Sequence, residues 1–410
     1  MPSEDKLEKR CICIVGGGAA GYFSAIHNKL NDPNADVVIL EKSSKTLRKV
    51  KISGGGRCNV THSCFDPKEL VSFYPRGSKE LLGPFHSFQP ADTMAWFEDN
   101  GVPLKVEEDG RVFPESDLSQ DIIDCLKKKV EKLGIRVISS CGVTHVSKLS
   151  FKKDETTSLD SDSKDSSDLF KFRLVLESSQ VLTCEKLVLA TGSSPIGYAF
   201  AARFGHSIQQ PIPSLFTFKI NERLKPKEIN SGRERLTDLA GCSVANAEVW
   251  LESKPKEYQT GPVLITHWGL SAPAIIKLSA WQARFLFENH YSCNLIVNWS
   301  YSIASFDRLN PFSGIRRKHP KKLVLSLSPF KEIPARLWVY LCRRAGITQN
   351  QQWHDLSKSS ELDLVKELTE SLFAIDGKGQ FKEEFVTCGG VSLSEVNFKT
   401  MESKVCKGLF

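Results

Sequence analysis

Gly16, Gly18 and Gly21 in Gly16-Gly-Gly-Ala-Ala-Gly21, with Glu41 in Asp36-Val-Val-Ile-Leu-Glu41, have the types and spacing to hold a dinucleotide. Gly16 lets the chain turn tightly out of a strand, and Gly18 has no Cβ to keep a pyrophosphate off the backbone. Gly21 permits close packing of a helix on a sheet. Ala20 sits in the first turn of that helix, where unpaired N–H groups and the positive dipole end suit phosphate oxygens. Glu41 can accept from ribose hydroxyls. A glycine spacing alone would fit many α/β turns. Here a strand (Cys11–Val15) precedes it, and a second strand leads into the acid.

Further along, Ile52-Ser-Gly-Gly-Gly-Arg-Cys-Asn59 is a glycine loop that lets a ligand approach the backbone. In it Gly55 and Gly56 offer space, Arg57 can neutralise a phosphate, and Asn59 can bond a sugar or flavin edge. Cys58 has no paired cysteine nearby and reads as a buried thiol. The apolar run Lys186–Ala190 ends in Thr191-Gly192, a sharp turn of the kind found beside a dinucleotide. His267 can serve as an acid or base near neutral pH, or can simply shape the Thr-His-Trp-Gly turn. Arg111 can orient an anionic substrate, or form a structural ion pair. No catalytic triad and no metal-ligand spacing stands out.

These residues need elements to position them. Pro90–Asn100 reads as a short helix closed by Gly101. Leu118–Leu133 reads as a helix with Ile123, Leu126, Val130 and Leu133 on one face and Gly134 as its stop. A strand over Ile135–Cys141 follows, and Lys42–Lys51 reads as a polar linker. Val143–Leu149 and Phe170–Leu176 suggest a small antiparallel meander. Between them Asp154–Asp168 carries six acids and one lysine, and reads as a mobile loop. From Pro211 to about Thr266 short strands alternate. Ser271–Asn289, Pro334–Ala345 and Glu361–Phe373 read as helices, Ile296–Ile303 as a strand, and Thr387-Cys-Gly-Gly390 as a glycine loop. The division expected is residues 10–210, an inserted β-rich and helical domain at 211–380, and a return to the first domain at 381–410.

Composition narrows the class. With 40% hydrophobic and 25% charged residues the chain is ordinary globular material. No apolar run reaches 18 residues, so no membrane span is expected. Twelve cysteines without CxxC pairs suit a reducing compartment. The short polar start lacks a secretory core, which points to the cytoplasm, or to a plastid or other organelle if an import segment is absent. The net charge of +7 is compatible with anionic ligands without demanding nucleic acid. The densest basic run, Arg316-Arg-Lys318 with Lys321-Lys322, reads as a solvated face rather than a nucleic-acid patch.

The ordered set Gly16–Gly21, Glu41, Ser53–Asn59, Gly110–Asp117, Leu187–Gly192, Thr266–Pro273 and Val386–Val391 resembles the YhiN/BaiN-type FAD-dependent oxidoreductases. The resemblance spans nearly the whole chain. It implies an α/β fold: a glutathione-reductase-like FAD-binding Rossmann domain interrupted by a β-rich domain and a small helical domain. It places Gly16, Gly18 and Gly21 at the FAD pyrophosphate and Glu41 at the adenosine ribose. Gly55, Gly56, Arg57 and Asn59 fall on the phosphate and flavin side. It also assigns adenine contacts to the backbone of Val143, and positions beside the cofactor to Thr191, Gly192, Gly389 and Gly390. Two departures stand out. Gly192–Gly197 is compact where the family has a longer glycine-rich passage. The chain stops at Phe410 where the family continues toward an Ala-Gly-Glu loop, so weaker FAD retention is expected. The function expected is FAD-dependent, NAD(P)H-linked reduction of a small organic substrate. The alternatives are an FAD-linked RNA-modifying enzyme and a flavin-binding protein with little activity.

Overall fold

In a computed structural model, the structure describes residues 10–150, 170–221, 235–301, 303, 310–379 and 386–410. The acidic stretch at 154–168 lies outside them. Two compact units result. One comprises residues up to Pro211 together with Gly389–Phe410, and the other comprises Ile212–Cys388.

The first unit is built on a parallel sheet of β1 (Cys11–Val15), β2 (Asp36–Leu40), β4 (Arg136–Ile138) and β8 (Lys186–Leu189), ordered β8-β1-β2-β4. β1 and β2 read CICIV and DVVIL, and four of five residues in each are buried. Such unbroken apolar runs belong to parallel strands covered on both faces. Leu409 adds a parallel bridge to Leu187 outside β8. Helix α1 (Ala19–Asn31) follows β1 and buries Tyr22, Ala25 and Ile26. Helix α2 (Ser119–Lys132) buries Ile122, Ile123, Cys125, Leu126 and Val130, and Gly134 (φ +65°) ends it. Arg111–Pro114 (β3) lies between Thr61–His62 and Leu104–Val106 in a small antiparallel sheet. The meander is β5 (Val143–Ser150), β6 (Phe170–Leu176) and β7 (Val181–Cys184), and α3 (Pro195–Arg203) follows β8.

The second unit is a closed antiparallel barrel. Its strands are β9 (Phe218–Ile220), β10 (Ser243–Leu251), β11 (Gln259–Thr266), β12 (Gly269–Ser271), β13 (Ser292–Asn298) and β14 (Ser371–Lys378). Closure removes exposed strand edges. Helix α4 (Pro273–Trp281) packs on β11. A helical cap of α5 (Ser313–Lys318), α6 (Ala335–Arg344) and α7 (Lys358–Thr369) surrounds Phe312, Trp338 and Trp353, all buried. On α6, Leu337, Trp338, Leu341 and Cys342 are buried, as their stripe predicts.

Some boundaries differ from the sequence reading. Lys42–Lys51 is not all linker: Arg48–Ile52 is a short helix anchored by buried Leu47 and Val50. The helix over Ser271–Asn289 breaks at Gln282 into Pro273–Trp281 and Ala283–Glu288. The helix read over Glu361–Phe373 ends at Thr369, and Phe373 belongs to β14, where pairing with Leu295 outweighs helical spacing. Thr387–Gly390 lies in a strand, β15 (Val386–Val391). Its two glycines take φ of +108° and +119°, which keeps the segment extended despite a turn-like composition.

Candidate functional site

The register of the parallel sheet aligns the places where dinucleotide chemistry was expected. Val15 pairs with Leu40 on one side and Leu189 on the other, and Leu40 pairs with Ile138. Gly16, Glu41 and Ala190-Thr191-Gly192 therefore leave the sheet at one edge. The order switches about β1, with β2 beside it on one side and β8 on the other, and ligands of open α/β sheets bind at such an edge.

At this edge the first glycine turn is packed against its neighbours. Gly16 has φ +116°, and a Cβ there would strike the Ala190 carbonyl. A Cβ on Gly21 would strike the Gly16 carbonyl oxygen and approach Ile14 on β1. Gly17, a variable position in the motif, is confined too: its Cβ would lie 2.9 Å from Thr46 Cγ2 and 3.0 Å from Glu41 Cβ. Around Gly18, the N-cap of α1, a Cβ would meet nothing within 4 Å. The tight positions thus surround one open position at the helix N-terminus, where Ala19 and Ala20 are exposed.

Glu41 does more than the spacing suggested. One carboxylate oxygen accepts from Gly17 N at 2.7 Å, and the other from Ser43 N at 2.8 Å. Each oxygen keeps a further lone pair for a hydroxyl donor. The Glu41 backbone accepts from Cys141 N at 2.8 Å, and Ser43 accepts from Ser140 N. This fastens the start of the meander, with buried Val143 paired to Leu176, beside the acid. Tyr22 and Thr46 hydroxyls bond at 2.9 Å, closing the same turn from the helix side.

The second glycine loop is different. Gly54, Gly55 and Gly56 all have positive φ. Gly54 is tight against Asn59 N and the Phe113 ring, whereas Gly55 and Gly56 face open space. Arg57 lies 3.9 Å over the Phe113 ring and binds Glu107 at 2.5 Å and Asp117 at 3.3 Å. Lys105 and Arg57 hold the Asp117 carboxyl below its ordinary value, with Lys105 the larger influence. Arg111 joins the same cluster through Glu107 at 3.1 Å and Asp109 at 2.7 Å. Both arginines are thus engaged with carboxylates. The Asn59 amide nitrogen donates to Thr61 O at 2.9 Å and Val112 O at 3.2 Å, stitching the loop to β3. Cys58 is buried, and burial pushes its thiol up.

Beyond β8, Gly192 has φ +61° and open space around it. A Cβ on Gly197 would strike Thr191, so the compact Gly192–Gly197 passage is locked onto its own turn. Lys49 donates to Ser193 Oγ at 3.0 Å, tying this turn to the helix that precedes the glycine loop. Gly390 packs on the Tyr198 ring, with a Cβ 3.2 Å away, and Gly389 beside it is exposed. His267 lies in the barrel unit, exposed on the turn from β11 to β12, with no hydrogen-bond partner among the described residues. Sequence reasoning missed Gly17, Ser43, Thr46, Gly197 and Tyr198. The run of three glycines at 16–18 hinted at the first; the others make contacts that spacing does not encode.

The open positions at Gly18, Gly55, Gly56 and Gly192 leave backbone accessible where the side chains of other residues would stand, and a dinucleotide fits such a cradle. Comparison with known proteins agrees. The chain is 28% identical to a ribosomal RNA dihydrouridine synthase of Haemophilus influenzae over 97% of this chain and 90% of the other. It is also 28% identical to a protein of the same name from Escherichia coli, over 98% and 91%. With a 3-dehydro-bile acid delta(4,6)-reductase of Clostridium scindens it shares 25% over 97% and 91%. Residues 10–410 match the HI0933-like protein Rossmann domain. The chain therefore belongs to the HI0933-like Rossmann family of flavoprotein oxidoreductases.

Proposed function

We propose that this protein is an FAD-dependent reductase that saturates a carbon–carbon double bond conjugated to a carbonyl. The observation that carries the reading is the shared edge of the parallel sheet, where the Glu41 clamp, open Gly18 and open Gly192 leave the strands together. When bound, FAD supplies the hydride-transferring centre. The chain's own residues bind and orient it. The α1 N-terminus and Gly18 take the pyrophosphate, and Glu41 takes the adenosine ribose. Val143, Gly55, Gly56, Thr191, Gly192, Gly389 and Gly390 supply backbone approach along the rest. Arg57 and Asn59 hold the second loop in shape, and Arg111 braces Arg57 through their shared Glu107. His267 is the candidate proton donor on chemistry alone. NADH or NADPH is the proposed electron donor.

One chemistry accounts for the names of all three relatives. A dehydro bile acid reductase adds hydrogen to a conjugated alkene, and dihydrouridine differs from uridine by two hydrogens across a double bond conjugated to a carbonyl. A small unsaturated carbonyl compound is the simplest substrate. A uridine in RNA is the second reading. It is favoured by the names of two relatives that align over nearly the whole chain.

Anaerobic addition of NADH or NADPH to the FAD-loaded protein should bleach the flavin, and an acceptor should restore its colour. Mass spectrometry of enone and RNA acceptors should find a gain of two hydrogens. A protein that takes up no FAD, or whose bound FAD neither donor reduces, would end the reductase reading.

A further inference from the structure

The barrel unit carries a feature that the reductase chemistry does not use. Residues 316–322 hold five cations, Arg316, Arg317, Lys318, Lys321 and Lys322, and no acid. On a loose loop such a run is usually inert. Here the backbone is fastened on both sides. Phe312, just before α5, is buried against Trp338 and Trp353. Arg316 turns inward and donates to Trp353 O at 3.2 Å, Leu356 O at 3.0 Å and Glu361 at 3.4 Å. After the helix, Trp353 N donates to Lys322 O and His354 N to Pro320 O, both at 3.0 Å.

The inward Arg316 is thus a structural bolt, and the other cations are presented on a fixed frame. Arg317, Lys318, Lys321 and Lys322 are exposed, and none has an ion-pair partner among the described residues. Beside them opens a cleft of about 360 Å³ whose lining includes Ser313, Arg316, Arg317, Lys358 and Glu361. Its one acid, Glu361, is buried and already faces Arg316 and Lys358, the latter at 3.6 Å. The cleft therefore keeps an excess of positive charge.

We infer that this face docks the phosphodiester backbone of an RNA substrate, an inference that rests on the RNA reading above. Unpaired cations on a fastened backbone attract phosphates in any sequence, and little backbone must be ordered on binding. The exposed residues from Ser313 to Lys322 include no Phe, Tyr, Trp or aliphatic side chain except Pro320. An amphipathic membrane-surface site would add such groups to enter the lipid boundary; a purely electrostatic lipid contact is separated by the vesicle arm of the test.

The test compares the full FAD-loaded protein with the variant R317Q/K318Q/K321Q/K322Q. A second variant, K68Q/K127Q/K128Q/K132Q, removes four exposed lysines from the other unit. Fluorescence anisotropy with labelled oligouridylate is read across a salt series. If each cation meets one phosphate, the first variant should lose about 3 from the slope of log affinity against log salt. The second should change it little. Unchanged circular dichroism and flavin absorbance establish that both variants are folded. Wild-type binding that both variants retain equally would overturn the dock and leave the RNA reading standing. No salt-dependent RNA binding by the wild type would overturn both. Sedimentation with phosphatidylserine vesicles, lost only in the first variant and without RNA binding, would replace RNA by a membrane.

Discussion

The two glycine-rich turns of the first unit use the same residue for opposite purposes. At Gly16–Gly21 the glycines are mostly packed: added Cβ atoms would strike Ala190, Glu41, Thr46 or the turn's own carbonyl, and only Gly18 is open. At Gly54–Gly56 the first glycine is packed and the next two face empty space at φ of +71° and +89°. The first turn is a rigid frame around one opening. The second is an opening propped by a charged bracket of Arg57, Glu107, Asp117 and the Phe113 ring. In the first, glycine makes room for protein; in the second, it leaves open space.

Substitutions can break this contrast. Gly21→Ala should have the largest effect, because the new methyl collides with backbone that cannot move aside. A loss of about 3 kcal/mol is expected by urea denaturation, with loss of FAD as a consequence. A stable, flavin-loaded Gly21→Ala would show that the first turn is not a rigid frame. Glu41→Gln comes next. The amide can still accept one N–H, but the other donor of Gly17 or Ser43 loses its partner, at about 1–3 kcal/mol. Stability and FAD affinity should fall together, read by urea midpoint and by flavin titration.

Gly55→Ala should cost about 1–2 kcal/mol of stability, from the left-handed backbone alone. Its FAD affinity should fall further than that, since the methyl enters the opening. Equal losses in the two measurements would mean that the space near Gly55 is not ligand space.

The smallest effect is in pH. His27, on α1, is held below its ordinary value of 6.5 first by burial and then by Lys129. As pH falls through that window the unfolded chain binds the proton before the native one, so stability declines. His27→Gln should flatten this acid limb. Asp117 works lower: its native carboxyl stays ionised below the ordinary range, so its contribution is present at neutral pH. It is lost as pH falls through the native value. A single acid limb, untouched by His27→Gln and by Asp117→Asn in pH-dependent urea denaturation, would remove the distinction.

Legibility followed the same division. The tight turn at Gly16, the open position at Gly18 and the close packing at Gly21 could be read because local backbone geometry follows from residue type and spacing. Helices such as Ser119–Lys132 were legible within a residue or so, because their apolar periodicity is strong. Arg57 was not: it reads as a phosphate-neutralising cation, and only folding brings Glu107 and Asp117 against it. For Arg111 an ion pair was one of two readings, but its partners Glu107 and Asp109 emerge only in the fold. Phe373 looked helical because its neighbours continue an apolar period, yet cross-strand pairing with Leu295 claims it for the barrel.

The chain by itself determined the parallel strands, the glycine turn and the acid at its far end. Continuous apolar runs, positive-φ requirements and a fixed spacing are local and survive without knowledge of partners. Tertiary structure alone decided which strand ends lie side by side, that Glu41 accepts from Gly17 and Ser43, and that five cations at 316–322 stand on a fixed frame. Those outcomes depend on contacts between residues far apart in sequence, whose strength comes from burial and geometry that no short segment contains.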